Sequence, residues 1–407
     1  KLTCELTIVQ SYLVTFAFFI AYLVMAIPSS FLLNKVGYKR GIMYGLWFMA
    51  LGALLFVPAA YWRTYEIFLA GLFMLGIGLA ILQSAANPYV TIIGPRESAA
   101  KRLSVVGTGN KLAGIIANLV FAAVVIKESD KVLMQEIKEG VFSGAELETA
   151  LDTLIRGVMT PYLILGIFLF IFGIAVRYSM LPELDAKDVN KSTSGKVDTR
   201  TSIFQYPWLI LGALAIFFHV GSQMISLATI IDYAGTMGLA LEGNAKNFPS
   251  FTMFFTFLGY LTGIVMIPKY LNQKNALLIC STLGLLFSLL TIFTTGKVNI
   301  LGLETDISIW FLVLMGYSNA LIYTGIWPLA IRDLGKYTNL GSSFLVMGLC
   351  GSAILPLIFS YVVDLNSSLP LFDAYKIAYW VLVPCFLYLL FFATVGHKIE
   401  HWGKHKA

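Results

Sequence analysis

The sequence predicts an all-α polytopic membrane protein of two helical bundles, and three observations carry that prediction. The 407-residue chain is 58% hydrophobic and 12% charged, with a mean hydropathy of +0.80. That is too little charge to cover the surface of a soluble domain of this size. It breaks into eleven apolar runs, each long enough to cross about 30 Å of hydrocarbon at about 1.5 Å per residue. Its basic residues favour alternate connections between the runs, as oriented multi-span proteins require.

The runs cover residues 8–33, 41–60, 67–93, 104–126, 161–181, 207–231, 250–268, 276–295, 307–331, 341–363 and 375–396. None reads as a cleaved signal peptide. One set of connections, from Lys35, Lys39 and Arg40 to Lys398, Lys404 and Lys406, collects eighteen Lys and Arg against eight on the other side. The first side is therefore expected to be cytoplasmic, with Lys1 outside and the C-terminus inside. The net charge of +6 serves orientation, so no nucleic-acid partner is expected. The odd number of runs and the missing initiator Met predict a first helix ahead of this sequence, and the visible helices are numbered two to twelve. Cys4, Cys280, Cys350 and Cys385 lie apart and read as small hydrophobes.

Two long connections divide the chain. The one at 127–160 carries seven acids and four bases, with short amphipathic helices expected around 132–137 and 147–155. It reads as a solvated cap, with a gating element as the alternative. Residues 184–206 form a polar cytoplasmic linker. The expected organisation is 1–183 as an N-terminal bundle of helices two to six, 184–206 as the linker, 207–396 as a C-terminal bundle of helices seven to twelve, and 397–407 as a tail.

Helix four, run 67–93, carries Gln83 and Asn87 on one face and then Pro88, which frees a backbone carbonyl. Uncharged amides at that depth cost free energy unless they face protein or a wet cavity, so this helix reads as part of a substrate pathway. The halves echo each other: N-P-Y-V-T-I-I-G at 87–94 matches W-P-L-A-I-R-D-L-G at 327–335 in placing a Pro before a rim Gly. Internal repeats of this kind mark secondary transporters. Two halves of six helices point to the major facilitator architecture, in which helices one, four, seven and ten line the cavity.

Those helices do carry polar residues in steps of four. Helix seven has His219 and Gln223 with Ser222 and Ser226, and helix ten has Asn319, Tyr323 and Trp327. Helix five adds Asn110, Lys111 and Asn118. Amides and hydroxyls beside flat aromatic faces suit the hydroxyls and C–H faces of a sugar ring. Each residue also has a plainer reading: amides as interhelical glue, Tyr323 and Trp327 as packing, His219 as a satisfied core residue rather than a proton carrier. Lys111, about seven residues or ~10 Å inside its apolar run, either snorkels or turns inward to meet a carboxylate. His397, His401 and His405 have metal-ligand spacing, but a solvated interfacial helix beside Trp402 is the favoured reading, and no metal site is expected. Gly76-x-Gly78 and Gly107-x-Gly109 lack the strand, third glycine and downstream acid of a dinucleotide loop and read as helix packing. No nucleophile, base and orienter constellation stands in the sequence, so neither an enzyme nor a cofactor is expected.

Four blocks resemble the fucose/glucose/galactose symporter family of the major facilitator superfamily: A-A-N-P-Y-V-T-I-I-G-P at 85–95, G-T-G-N-K-L-A-G-I-I-A at 107–117, F-F-H-V-G-S-Q at 217–223 and L-G-K-Y-T-N-L-G-S-S-F-L-V-M at 334–347. The likeness covers essentially the whole chain. It implies sugar import coupled to a cation. By position, Gln83 matches a helix-four glutamate of the proton-coupled fucose branch, Tyr323 matches a pathway tyrosine, and Asn110 falls in the helix-five polar patch. Gln83 cannot titrate, the family's helix-one Asn-Asp pair would precede this sequence, and Lys111 replaces a small polar residue. The N-K-L-A-G pattern looks more like the glucose/galactose branch.

The expectation is a twelve-helix alternating-access hexose symporter, multi-pass in the inner membrane and functional as a monomer. Its partners are a sugar, a proton or Na⁺, and the bilayer. Gln83, Asn87, Asn110, Gln223, Asn319, Tyr323 and Trp327 are the candidate substrate-binding residues. Lys111 and His219 are the candidate coupling residues, Lys111 pairing with the helix-one aspartate that the family implies. Na⁺-coupled or uncoupled sugar transport, a sugar-sensing receptor and a polyspecific exporter stay open as alternatives.

Overall fold

The computed structural model describes residues 8–124, 141–142, 144–157, 159–183, 200–239 and 245–402, with residues 133, 136 and 137 besides. The helices in chain order are α1 (Ile8–Trp62), α2 (Tyr65–Ile92), α3 (Ala99–Val124), α4 (Ala145–Gly157), α5 (Met159–Tyr178), α6 (Pro207–Ala228), α7 (Ile230–Gly235), α8 (Phe248–Met266) and α9 (Gln273–Phe293). A hairpin of β1 (Lys297–Ile300) and β2 (Leu303–Asp306) follows, then α10 (Ser308–Ile331), α11 (Thr338–Met347), α12 (Gly351–Leu365), α13 (Leu371–Ala378) and α14 (Leu382–Thr394).

Nine helices among the described residues are long and apolar enough to cross a membrane. α1 is two helices merged across Gly37, whose φ of 78° and ψ of 173° break the helix. It accounts for the first two predicted runs, and every other run also lies on helix. Gly37 sits in the left-handed region, which L-residues avoid, and a Cβ there would lie 2.9 Å from the Glu183 carboxylate.

By backbone contacts the chain forms two compact units, Lys1–Ala86 with Leu112–Leu184, and Asn87–Lys111 with Asp185–Ala407. The first unit has a core of Leu46, Ala50, Leu169 and Val176. Phe56 stacks on Tyr162 at 4.2 Å between ring centroids, and Trp47 stacks on Phe170 at 5.2 Å. α1 and α2 meet backbone to backbone, since a Cβ on Gly45 would lie 2.9 Å from the Gly78 carbonyl oxygen. Gly76 and Gly78 are thus packing glycines, as expected. Of the amphipathic helices expected in 127–160, the second is α4, fastened to the end of α1 by Arg63, which pairs with Glu148 and, at 3.3 Å, with Asp152. The first falls largely outside the described residues.

In the second unit α10 is the hub, with 78% of its apolar window buried against 28–50% for that unit's other spans. α8 and α9 flank it, and α6 packs on α10 and α12. Small residues permit this closeness: a Cβ on Gly259 of α8 would lie 2.8 Å from the Tyr317 carbonyl oxygen, and one on Gly316 would collide with the Thr252 carbonyl. A carbonyl inside a helix cannot move aside. Gly316→Ala is therefore expected to destabilise the protein by about 1–3 kcal/mol, read as a fall in thermal midpoint in detergent.

Three helix starts in the second unit have a clear local cause. Pro207 occupies the first turn of α6, where no backbone donor is needed. The Asn272 side chain accepts from the Asn275 N–H at 2.7 Å and starts α9. Asp306 accepts from the N–H groups of Gly296 at 2.8 Å and Ser308 at 2.9 Å, which ties the hairpin to the start of α10. The sequence reading held no strand here; Leu301 and Gly302, at φ 57° and 77°, turn the hairpin.

The tail departs from expectation. Helix α14 stops at Thr394, and His397, 3% exposed, directs Nδ1 to the Phe392 carbonyl at 2.8 Å. His397 and His401 do not share a solvated helix, because the α-helix ends at Thr394, Gly396–Lys398 is a separate 3-10 turn and Ile399 is extended. His405 lies outside the described residues. Among those residues no group of three or more His, Cys, Asp or Glu could hold a metal ion.

Candidate functional site

Arg96, Lys101, Arg332 and Lys398 mark one end of the second unit, here termed the basic end. Three polar residues stand equally far from it along their helices: Lys111 from the start of α3 at 99, His219 from the start of α6 at 207, and Asn319 from the end of α10 at 331. Twelve residues is about 18 Å of helix, near the middle of a bilayer. α3 thus extends five residues beyond its apolar run toward the basic end. The helix begins at Ala99 because Lys101 and Arg102 are helical too, which hydropathy cannot register.

The buried chemistry at this level lacks internal partners. Asn319 is 1% exposed, and neither its Oδ1 nor its Nδ2 has a hydrogen-bond partner. His219 is 1% exposed with Nδ1 unpartnered, and Trp327 is fully buried with Nε1 unpartnered. Each unmet buried group costs about 1–3 kcal/mol, so the three atoms on Asn319 and His219 suit a polar ligand, while Trp327 lies two turns nearer the basic end. The rings form a ladder, with centroids 6.4 Å apart from His219 to Tyr323 and 5.6 Å from Tyr323 to Trp327. Ser222 and Ser226, by contrast, bond back to the carbonyls of His219 and Gln223 in their own helix and offer little to a ligand.

Charge enters through Lys111, which is partly buried and interacts electrostatically with His219. No carboxylate lies within salt-bridge distance of it among the described residues. Asn110 beside it is exposed, and a Cβ on neighbouring Gly109 would meet nothing within 4 Å, so this face of α3 is open. Gly107 does pack as expected, since a Cβ there would come within 2.6 Å of the Tyr260 ring. Gly109 does not. The side chain of Asn118 lies outside the described residues. Gln223 is half-buried, one turn beyond His219.

Within the first unit, Gln83 donates from Nε2 to the Tyr22 hydroxyl at 3.3 Å. Tyr22, 3% exposed, is a partner the sequence reading missed. One turn on, Asn87 belongs to the second unit and donates from Nδ2 to the Tyr323 hydroxyl at 2.9 Å.

Further contacts close the basic end of the second unit. The Arg102 guanidinium caps the end of α2, with Nε donating to Val90 O at 2.7 Å, Nη2 to Thr91 O at 2.6 Å, and Nη1 to Pro95 O at 2.9 Å and Ser98 Oγ at 2.7 Å. Carbonyls left over at a helix end are satisfied this way, and a planar fork is the side chain that can reach several of them. The turn so held presents Arg96, whose Nη1 pairs with Asp333 Oδ1 at 2.9 Å. The sequence reading used Arg96 and Arg102 only for orientation; an arginine just after a helix end was the available signal.

Comparison with known proteins gives one consistent result. The Major Facilitator Superfamily model matches residues 5–355. The chain is 30% identical over 396 residues to a glucose/galactose transporter of Brucella abortus, covering 97% of this chain and 87% of that protein. It is 31% identical over 371 residues to the L-fucose-proton symporter of Escherichia coli, covering 90% and 81%. A crystal structure of the transporter FucP in the outward conformation superposes with a TM-score of 0.80 at 28% identity, covering 97% of this chain and 92% of that one.

Proposed function

The chain belongs to the Major Facilitator Superfamily, and on that premise we propose that it imports a hexose by proton-coupled symport through alternating access. The basic end faces the cytoplasm and the C-terminus lies inside, in the inner membrane, as the eighteen-to-eight division of Lys and Arg requires. The two halves 1–183 and 207–396 act as the moving bundles of a monomer. Glucose, galactose and fucose are the candidate substrates, as the relatives' names suggest.

The observation that carries this reading is the group of unpartnered buried atoms on Asn319 and His219 beside the ring ladder. A pyranose offers what they lack: hydroxyls that donate and accept for the amide and imidazole, and a C–H face for Tyr323, while Trp327, one turn nearer the basic end, packs beneath Tyr323 as part of the gate. Asn87, Asn110 and Gln223 complete the binding set, and Gln83, one turn from Asn87 on the same face of α2, is assigned the same role. Lys111 and His219 supply the electrostatic response to the coupling ion. The Asn87–Tyr323 bond, five and eight residues from the ends of their helices, forms the cytoplasmic floor, and the Arg96–Asp333 pair closes the rim. Both must break for the sugar to leave inward.

Binding tests the site directly. The matching hexose is expected to raise the thermal midpoint of the purified protein with a concentration dependence that gives its Kd, by about 2.7 kcal/mol of stabilisation at a hundred times Kd. Gln83→Ala is expected to weaken that shift and, by removing the donor to the Tyr22 hydroxyl, to lower the midpoint without sugar only slightly, with the fold intact. A full shift in Gln83→Ala would remove Gln83 from the site, and no shift with any of the three sugars would overturn the hexose reading.

A further inference from the structure

The C-terminal end of the linker, the start of α6, the end of α10 and the tail are fastened together at the basic end, and Trp208 is the pin. It is 3% exposed, and its indole N–H donates to the Arg332 carbonyl at 3.2 Å. Two guanidinium groups approach its ring, Arg200 at 4.8 Å and Arg332 at 5.7 Å from the centroid. Arg200 also lies 4.6 Å from the Tyr206 ring. Each arginine then reaches the tail: Arg332 Nη2 donates to the His397 carbonyl at 2.8 Å, and Arg200 Nη2 donates to the Glu400 carbonyl at 3.2 Å. Trp402 Nε1 returns the connection, donating to the Phe204 carbonyl at 2.6 Å, while the Tyr337 hydroxyl donates to Thr201 O at 2.6 Å.

Asp333, which pairs with Arg96, lies directly beside this assembly. Its backbone is left-handed, φ 55°, between extended Arg332 and fully buried Leu334. The direction of its carboxylate is therefore set by how the neighbouring peptides are held. Magnitudes decide which interaction governs. An exposed ion pair such as Arg96–Asp333 is worth about 0–1 kcal/mol. A guanidinium over an aromatic ring contributes about 0.5–2 kcal/mol, and a hydrogen bond from a charged donor about 1.5–3 kcal/mol. The clasp has three ring contacts and two such hydrogen bonds, so the ion pair follows the clasp and not the reverse.

We propose that Arg200, Trp208 and Arg332, together with the tail backbone they grip, are positioning residues of the transport cycle: the clasp holds Asp333 where Arg96 can meet it, and its release opens the basic end. The proposal rests on the alternating-access reading above. It makes the linker and the tail parts of the gate, so that anything displacing the tail changes the balance between the outward- and inward-open states.

The test uses the full-length protein with its native cysteines replaced and a single reporter, Ser104→Cys. Ser104 is fully buried on α3, and its Oγ lies 2.9 Å from where a Cβ on Gly263 of α8 would be. A reagent reaches it only when α3 leaves α8. Labelling by a membrane-impermeant maleimide from the basic side of oriented vesicles is compared for the parent and for Arg96→Ala, Arg332→Ala, Arg200→Ala and Arg332→Ala with Arg96→Ala. Both clasp variants are expected to label about fivefold faster than the parent, as Arg96→Ala does, and the double variant no faster than Arg96→Ala alone. Arg332→Lys, which keeps the charge and loses the planar stack, is expected to fall between. Parental rates in both clasp variants beside fast labelling in Arg96→Ala would overturn the clasp and leave the gate standing. A parental rate in Arg96→Ala itself would overturn the gate and the clasp together. Thermal unfolding is followed in parallel, and labelling that rises only as thermal stability falls also counts against the proposal.

Discussion

Replacing Asn319 by leucine is expected to abolish sugar binding and, at the same time, to raise the thermal stability of the sugar-free protein. Asn319 is 1% exposed, with both side-chain polar atoms unpartnered. A buried amide without partners costs about 1–3 kcal/mol, and an apolar residue of similar length removes that cost. A residue kept only for packing would behave otherwise, since its replacement would be neutral or damaging. Transport-competent Asn319→Leu, or a lowered midpoint with binding intact, would show that Asn319 serves the core and not the ligand. The combination of gained stability and lost function is the signature of a strained site.

Lys111→Gln is expected to uncouple the transporter. An ammonium at this depth costs about 2.5–3.5 kcal/mol on insertion scales, a cost retained only where the charge has a use. Glutamine keeps the length and the hydrogen bonding but removes the charge that acts on His219 and on any acid brought near during the cycle. The predicted phenotype is a split one: equilibrium exchange of labelled sugar across the membrane continues within about tenfold of the parent rate, while accumulation against a gradient disappears. Snorkelling predicts the opposite, with both activities preserved, because a lysine at the membrane surface takes no part in the cycle.

Much of this was legible in the sequence, for physical reasons that also mark where legibility stops. Membrane spans impose runs of apolar residues whatever their neighbours do, so all eleven runs lie on helix, ten of them on helices that, among the described residues, are long and apolar enough to cross a membrane. Polar residues at steps of four share a helix face by geometry alone, which is how Asn319, Tyr323 and Trp327, or His219 and Gln223, could be grouped in advance. What the sequence did not carry was pairing across helices. Nothing local tells that Asn87 will meet Tyr323 or that Gln83 will meet Tyr22, because those partners are 236 and 61 residues away. The first turn of α3 was missed because Lys101 and Arg102 lower its hydropathy, and Arg102 is spent capping α2, a tertiary effect. The tail was misread for a similar reason: His397, His401 and His405 have helical spacing, yet His397 is buried and its carbonyl is taken by Arg332.

The contacts at the basic end also explain why residues 87–111 share a compact unit with 185–407. The end of α2 and the start of α3 are joined to α10 by Asn87–Tyr323 and Arg96–Asp333, and to α8 by Gly107 against Tyr260. Individually these are weak, and in an alternating-access protein they have to be. A gate held by more than a few kcal/mol would trap the protein in one state, since a ligand can shift an equilibrium only by its differential affinity.

The most direct test of the central claim is uptake by the full-length protein in liposomes, with labelled glucose, galactose and fucose, under an imposed proton gradient, an Na⁺ gradient, or neither. Cation-coupled symport predicts that at least one hexose accumulates inside above its external concentration under the inward proton gradient and only equilibrates without it. Accumulation under Na⁺ alone would change the ion and leave the mechanism. Equilibration under every condition would contradict coupling, and no uptake of any of the three would contradict the hexose site itself.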